Sequence, residues 1–120
     1  MNIDHKLPQR IFRVGSKKQI EISHSADIQL EDNEQITLVS NSGTEFDIVK
    51  KNWGYYATPS INKRLKNFGF KTALVQNKNG HIYIFLVETE KFDEFDKYCS
   101  SEDQTVLMWL DRVSCNDCDN

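Results

Sequence analysis

With 120 residues and an ordinary apolar share of 38%, the chain can bury a core as a single domain, and disorder is not expected. Its three cysteines argue against a disulfide scaffold. No apolar run approaches the ~20 residues that span a bilayer, and the start, Met1–Lys6, lacks the apolar stretch of a signal peptide. We therefore expect a cytoplasmic protein.

The first half of the chain has the pattern of an antiparallel β-meander. Residues 1–9 are polar and predict a flexible N-terminal tail. From Arg10 onward, short alternating or β-branched stretches are separated by turn residues at a spacing of about ten positions. These stretches are 11–14, 20–22, 28–30, 36–39 and 46–49. Their rhythm predicts four or five short strands.

A short amphipathic helix is predicted where the hydrophobic period changes. Thr58 followed by Pro59 is a favourable N-cap and first-turn pair, because the hydroxyl can accept a free amide and proline lacks one. Apolar residues then recur at helical spacing on one face, and Gly69 stands where a left-handed C-cap is expected. The apolar residues are Ile61, Leu65 and Phe68. The helix should span residues 59–67.

The second half predicts three more strands and a second helix. The strands are expected at 72–75, 81–87 and 106–110, the helix at 90–100, and an Asn-Gly hairpin turn at 77–80. The apolar run 81–87 indicates a central strand, and 106–110 is too continuously apolar for a solvated edge. From residue 45 onward, the order of elements also matches the split βαβ arrangement of ferredoxin-like folds.

The fold class that follows is α+β. We expect a mostly antiparallel sheet with an N-terminal meander and two short helices, in one domain spanning residues 10–111. A ferredoxin-like topology from residue 45 is one arrangement consistent with this order. Residues 112–120 predict a flexible acidic C-terminal tail.

Charge is distributed unevenly along the chain. No Asp or Glu lies between Asp47 and Glu88, whereas seven basic residues do: Lys50, Lys51, Lys63, Arg64, Lys66, Lys71 and Lys78. Such a basic centre between acidic flanks indicates either an anion site or pairing with the acidic segments of the same fold.

The basic centre also contains the most distinctive segment, residues 53–66. Aromatic rings offer surfaces for stacking, the amides of a helix start bind anions, and a nearby Arg can bind a phosphate through two nitrogens. The predicted site comprises Trp53, Tyr55, Tyr56, Thr58, Ser60, Asn62, Lys63 and Arg64. The alternative is that the rings fill the core between sheet and helix. Strand alternation would place Trp53 and Tyr55 on one face and Tyr56 on the other, with at least one of them structural.

The sequence gives no support for catalysis, a metal or a cofactor. The three histidines are scattered, and no phosphate-binding glycine motif or nucleophile motif occurs. Cys115 and Cys118 supply only two of the four ligands that a structural zinc needs. Cys99 falls on the apolar face of the second helix and is predicted to be a small core residue.

The segment 53–66 and the residues after it resemble a group of known proteins. The run NWGYYATPSINKRL at 52–65, followed by GFKTALV at 69–75, is similar to small uncharacterised proteins found among bacterial surface-polysaccharide biosynthesis genes. The likeness covers about residues 45–110. It implies a bacterial cytoplasmic role near sugar-nucleotide metabolism and assigns no catalytic residue.

The leading functional hypothesis is a non-enzymatic binding or accessory module. Its site at 53–66 would take an anionic small molecule, such as a nucleotide or sugar phosphate, or a partner protein. One alternative is an RNA or single-strand binding domain that stacks bases on Tyr83 and Phe85. Another is a small oligomeric enzyme of sugar-nucleotide metabolism with its site between subunits. The apolar strand 106–110 could also pair across a homodimer, and no membrane partner is expected.

Overall fold

The computed structural model describes residues 1–15 and 19–114. It confirms the α+β class with mostly antiparallel strands and two helices. Cys115 and Cys118 lie outside the described residues. The strands are β1 (Asn2–Val14), β2 (Ile20–Gln29), β3 (Gln35–Val39), β4 (Glu45–Lys51), β5 (Gly54–Ala57), β6 (Phe70–Gln76), β7 (Ile82–Glu88) and β8 (Thr105–Trp109), and the helices are α1 (Arg64–Asn67) and α2 (Phe92–Ser101).

The strands form three separate sheets. Strands β1 and β2 make a two-stranded N-terminal hairpin, β3-β4-β5 make a middle sheet, and β7-β6-β8 make a C-terminal sheet in that spatial order. Each of these neighbouring pairs is antiparallel. The ferredoxin-like alternative is wrong, because β5, the strand before α1, lies in a different sheet from β6.

The predicted flexible tail at residues 1–9 is corrected by the structure. Strand β1 begins at Asn2, which pairs with Gln29, and His5 pairs with Ala26. Its polar side chains find charged partners, since Lys6 Nζ lies 2.9 Å from Asp27 Oδ2. The stretch predicted at 20–22 and residues 28–29 of the stretch predicted at 28–30 belong to the single strand β2, which ends before Leu30.

The C-terminal sheet holds most of the core. Its central strand is β6, where Thr72, Ala73 and Val75 are buried, and not β7 as the apolar run 81–87 predicted. Strand β8 also lies at an edge, contrary to prediction. Apolar content reflects how many faces are covered, and it does not by itself identify a central position in the sheet.

Helix α2 packs on one face of the C-terminal sheet through aromatic side chains. The Phe95 ring lies 5.9 Å from Phe85 and 5.8 Å from Trp109, in edge-to-face geometry. Cys99 is buried as predicted, and burial raises the pKa of its thiol.

With ten residues α2 is the longer helix, and neither described helix has the length and apolar character of a membrane span.

Glu88 joins the middle sheet to the C-terminal sheet. Its Oε1 accepts hydrogen bonds from Ser42 Oγ, from Thr44 Oγ1 at 3.2 Å and from Ser40 Oγ at 3.2 Å, all on the β3–β4 turn. These donors, Ser42 foremost, hold the pKa of Glu88 below its ordinary value of 4.5, although desolvation acts in the opposite direction. The turn is therefore held by an ionised carboxylate.

This contact predicts a pH dependence of stability. Because the folded-state pKa of Glu88 is lower than the unfolded-state value, its stabilising effect is present above pH 4.5 and is lost as the pH falls through the folded-state pKa. We expect Glu88→Gln and Ser42→Ala to lower the urea midpoint at pH 7 and to flatten its decrease on acidification. Unfolding curves measured from pH 7 to pH 3 test this. An unchanged pH profile in both variants would contradict the assignment.

Candidate functional site

The predicted aromatic residues lie on a hairpin formed by β4 and β5. Lys51 pairs with Gly54, so that Asn52 and Trp53 form a two-residue turn between the strands. Gly54 has φ +146°, a conformation that favours glycine. We call β4, β5 and this turn the aromatic hairpin.

All three rings of the aromatic hairpin are exposed to solvent. Trp53 is 69% exposed, Tyr55 59% and Tyr56 44%, so none of them fills the core. The Trp53 ring stacks on Tyr56, with centroids 6.2 Å apart and planes inclined by 22°. Strand alternation predicted these two rings on opposite faces, but Trp53 lies in the turn, where alternation does not apply. The expectation that at least one ring is structural is also wrong.

Two lysines beside the rings are engaged by the turn between β2 and β3. Lys50 Nζ lies 3.1 Å from Asp32 Oδ1 and 5.8 Å from the centroid of the Tyr55 ring. Lys51 Nζ donates to Asn33 Oδ1 at 2.6 Å. Part of the positive charge of the basic centre is therefore compensated within the fold.

Thr58 does not cap a helix. Its backbone amide donates to Asp47 O at 3.2 Å, and its hydroxyl donates to Asp47 Oδ2 at 3.4 Å. The other oxygen of that carboxylate accepts from Thr37 Oγ1 at 2.6 Å. Thr58 therefore continues the polar contacts of the middle sheet, and Pro59 after it is buried.

The predicted helix at 59–67 shrinks to α1, which has four residues. Ser60 precedes it and holds its start, since Ser60 Oγ accepts from Arg64 N at 3.1 Å and Ser60 O accepts from Leu65 N at 2.8 Å. A helix this short does not provide the predicted anion site, because its first amides already have partners and its dipole is small.

The remaining predicted residues, Asn62, Lys63 and Arg64, lie just before α1 or at its start. Asn62 Nδ2 donates to Val113 O at 3.1 Å, which ties α1 to the start of the segment predicted as a flexible tail. The Arg64 guanidinium lies 5.7 Å from the Phe68 ring. Lys63 occupies the N-cap position of α1 without a side-chain cap hydrogen bond. The eight predicted residues thus divide into an aromatic group on the hairpin and a polar group before and within α1.

The structure also has a cleft of 390 Å³ that the sequence did not predict, between the tip of the N-terminal hairpin and the C-terminal sheet with α2. It is lined by residues from four segments, among them Val14, Ile20, Tyr83, Phe85, Tyr98 and Gln104. Gln104 Oε1 is buried there without a hydrogen-bond partner among the described residues, and burial, reinforced by Glu102, raises the pKa of the Tyr98 hydroxyl. Since these residues are far apart in sequence, no local pattern could have indicated the cleft.

Phe85 is not available for the stacking on bases that the sequence suggested. Its ring is half-buried and lies 6.0 Å from Tyr98 as well as against Phe95. Lys71 was also missed as a contact residue, although its Nζ lies 4.4 Å from the Trp109 ring and 5.0 Å from the Phe92 ring. These side chains serve the packing of α2.

Titratable groups that could form a metal site do not cluster. Within residues 1–15 and 19–114, no group of three or more His, Cys, Asp or Glu side chains is placed to hold a metal ion. His24 contacts Arg10 across the N-terminal hairpin and Asp27 on its own strand, with His24 Nε2 2.8 Å from Asp27 Oδ1. The aromatic hairpin is therefore the main candidate site. Comparison of the chain with protein-family models, with curated proteins and with solved structures finds no match.

Proposed function

We propose that the chain is a non-enzymatic binding module whose aromatic hairpin docks a partner protein. The observation that carries the proposal is the exposure of Trp53, Tyr55 and Tyr56, which is between 44% and 69%. Trp and Tyr dominate the residues that contribute most to protein–protein binding, because they bury a large rigid surface at a small entropic cost. The cytoplasmic location and the role near sugar-nucleotide metabolism implied by the resemblance belong to the same proposal.

The arrangement favours a protein over the anionic small molecule that the sequence also suggested. A small-molecule site encloses most of its ligand and converges a few polar groups on it. Here α1 does not offer the expected amides, and the ammonium groups of Lys50 and Lys51 contact Asp32 and Asn33. An exposed pair of stacked rings at a turn can instead insert into an apolar pocket on the surface of a partner protein.

Single-stranded nucleic acid is a second candidate that one observation favours. Rings that stack on bases beside a cation are the usual elements of such sites, and Lys50 Nζ lies near Tyr55. The net charge of −3 opposes it, because binding to phosphates relies on a positive field. We therefore treat nucleic acid as an outcome of the test below.

Substitution of the stacked pair tests the proposal. The double variant Trp53→Ala and Tyr56→Ala should weaken the Kd for a partner isolated with the wild-type chain by at least ~30-fold, because a hot spot contributes ~2 kcal/mol or more. Tyr83→Ala is the matched control, since Tyr83 is 45% exposed but lies on the C-terminal sheet. Its Kd should stay within about threefold of wild type, which is a change below ~1 kcal/mol.

Two further titrations decide between ligand classes. The wild-type chain is mixed with nucleotide sugars and with single-stranded RNA while the NMR signals of residues 53–57 are followed. Saturable shifts with either ligand, lost in the double variant, would replace the protein partner by that ligand. Equal affinity of the double variant and wild type for the isolated partner would overturn the proposed function.

A further inference from the structure

The outer face of the C-terminal sheet, opposite α2, is apolar and uncovered. Leu74 on β6 pairs with Ile84 on β7 and with Met108 on β8, so that the three side chains form a row across the sheet. Ile82 extends this row along β7 because it lies two residues from Ile84. Ile84 is 64% exposed, Ile82 55% and Met108 52%. We call these four residues the outer face.

The sequences of β7 and β8 are those of strands buried on both faces. Alternation of apolar and polar residues marks a strand with one solvated face, whereas IYIFLV and VLMW are continuously apolar. Helix α2 covers only the face that carries Phe85 and Trp109. The composition of both strands therefore indicates a second cover, which the described part of the chain does not supply.

The N-terminal hairpin also has apolar side chains that no other part of the described chain covers. One of its faces carries six large apolar side chains in two groups, separated by the pairs Arg10–His24 and His5–Ala26. The six are all between 40% and 45% exposed: Ile3, Phe12, Val14, Ile20, Ile22 and Ile28. The opposite face is polar and includes the Arg13–Glu21 ion pair, with Arg13 Nη2 2.7 Å from Glu21 Oε1. A two-stranded hairpin is marginally stable in water by itself, so this face also needs a cover.

The size of the whole chain supports a missing interface. Its solvent-accessible surface is 8824 Å², whereas a compact monomer of 14.0 kDa exposes roughly 6,700 Å². Its radius of gyration is 16.3 Å, against roughly 13.6 Å for a compact domain of this length. The excess surface exceeds the roughly 800 Å² that each partner buries in a stable interface.

We propose that the chain forms a homodimer in which the apolar face of each N-terminal hairpin packs on the outer face of the other copy. The hairpin cannot cover the outer face of its own chain, because its tip residues Val14 and Ile20 share a cleft with Tyr83 and Phe85 on the opposite face of that sheet. Reciprocal exchange gives a closed two-fold assembly and covers both faces in both copies. Two outer faces packed on each other would engage only four side chains per copy and leave both hairpins exposed.

The oligomeric mass of the full chain tests this arrangement. Sedimentation between ~1 and ~100 μM, a range that brackets a micromolar Kd, should give twice the monomer mass of 14.0 kDa. Ile84→Glu on the outer face and Ile22→Glu on the hairpin should each give a monomer. Ile11→Glu is the matched control, because Ile11 is 61% exposed but lies on the polar face of the hairpin opposite Ser23, and it should remain a dimer.

Mixing two monomeric variants tests the reciprocal contact itself. An Ile84→Glu chain mixed with an Ile22→Lys chain should form a mixed dimer, in which one hairpin–sheet contact is wild type and the other pairs Lys with Glu. A dimer made by two outer faces would gain nothing from this mixture. The proposal is overturned by a wild-type monomer at all these concentrations, by a dimeric Ile22→Glu variant, or by failure of the mixture to dimerise. Far-ultraviolet circular dichroism should show that every variant remains folded, with at most a loss of the strand signal of the N-terminal hairpin in the monomeric ones, because that hairpin is marginally stable when uncovered.

Discussion

Leu65→Ala is expected to lower the free energy of unfolding by about 2 to 5 kcal/mol, because removing a buried leucine leaves a cavity as well as losing its transfer free energy. Leu65 is 1% exposed although it belongs to a four-residue helix, which packs against β6. Such a loss is a large fraction of the roughly 5 to 15 kcal/mol that stabilises a domain. Urea unfolding at pH 7 measures it.

The control for Leu65 is the same chemical change at an exposed site. Leu38→Ala lies in β3, where the side chain is 53% exposed, and we expect a change within about 1 kcal/mol, as for most surface substitutions. Equal effects of the two substitutions would show that α1 is not anchored through Leu65. The packing of Leu65 against β6 would then not hold the segment between the aromatic hairpin and β6 in place.

Gly69→Ala is expected to destabilise the protein through two separate effects. Gly69 has φ +92°, which costs a side chain about 1 to 3 kcal/mol. A Cβ at this position would also lie 2.6 Å from Thr44 Cγ2, and relieving that overlap costs about 1 to 3 kcal/mol more. The β3–β4 turn would have to move away from Glu88, so the urea midpoint should fall substantially.

Two variants separate these effects. Gly43→Ala has nearly the same φ, +91°, but its Cβ would meet nothing within 4 Å, so it should show the backbone cost alone. Adding Thr44→Ser to Gly69→Ala deletes the clashing methyl group and keeps the hydroxyl that bonds Glu88, so it should recover the steric part. Equal losses for Gly43→Ala and Gly69→Ala would show that the turn does not sit against Gly69.

The elements that the sequence predicts well are those with strong local signals. The Asn77–Gly80 turn closes the β6–β7 hairpin, with Gly80 at φ +87°, and the predicted helix at 90–100 corresponds to α2. Turn chemistry and helical periodicity act between neighbouring residues, and tertiary contacts reinforce them here.

The helix predicted at 59–67 fails because distant residues compete for its first positions. The carboxylate of Asp47, eleven residues before Thr58, takes the hydroxyl that the sequence assigned to a helix cap. Pro59 is buried in the core, and the helix begins five residues after it, at Arg64. The pattern of Ile61, Leu65 and Phe68 carries no information about either contact.

The candidate site was predicted in position but not in geometry. The sequence identified the aromatic residues of the hairpin, but strand alternation could not show that a turn residue, Trp53, stacks on Tyr56. It also connected the rings to Lys63 and Arg64 through a helix starting at residue 59, whereas α1 begins only at Arg64. Exposure depends on what the rest of the chain covers, which only the tertiary structure shows.

The chain contains two tryptophans, and their positions make them independent optical probes. Trp109 lies beneath α2 next to Phe92, Phe95 and Lys71 and should report the loss of tertiary structure during denaturation. Trp53 projects into water, so its emission should shift to the blue only when another surface dehydrates it. Intrinsic fluorescence of Trp109→Phe can therefore follow docking, and that of Trp53→Phe can follow unfolding, without any added label.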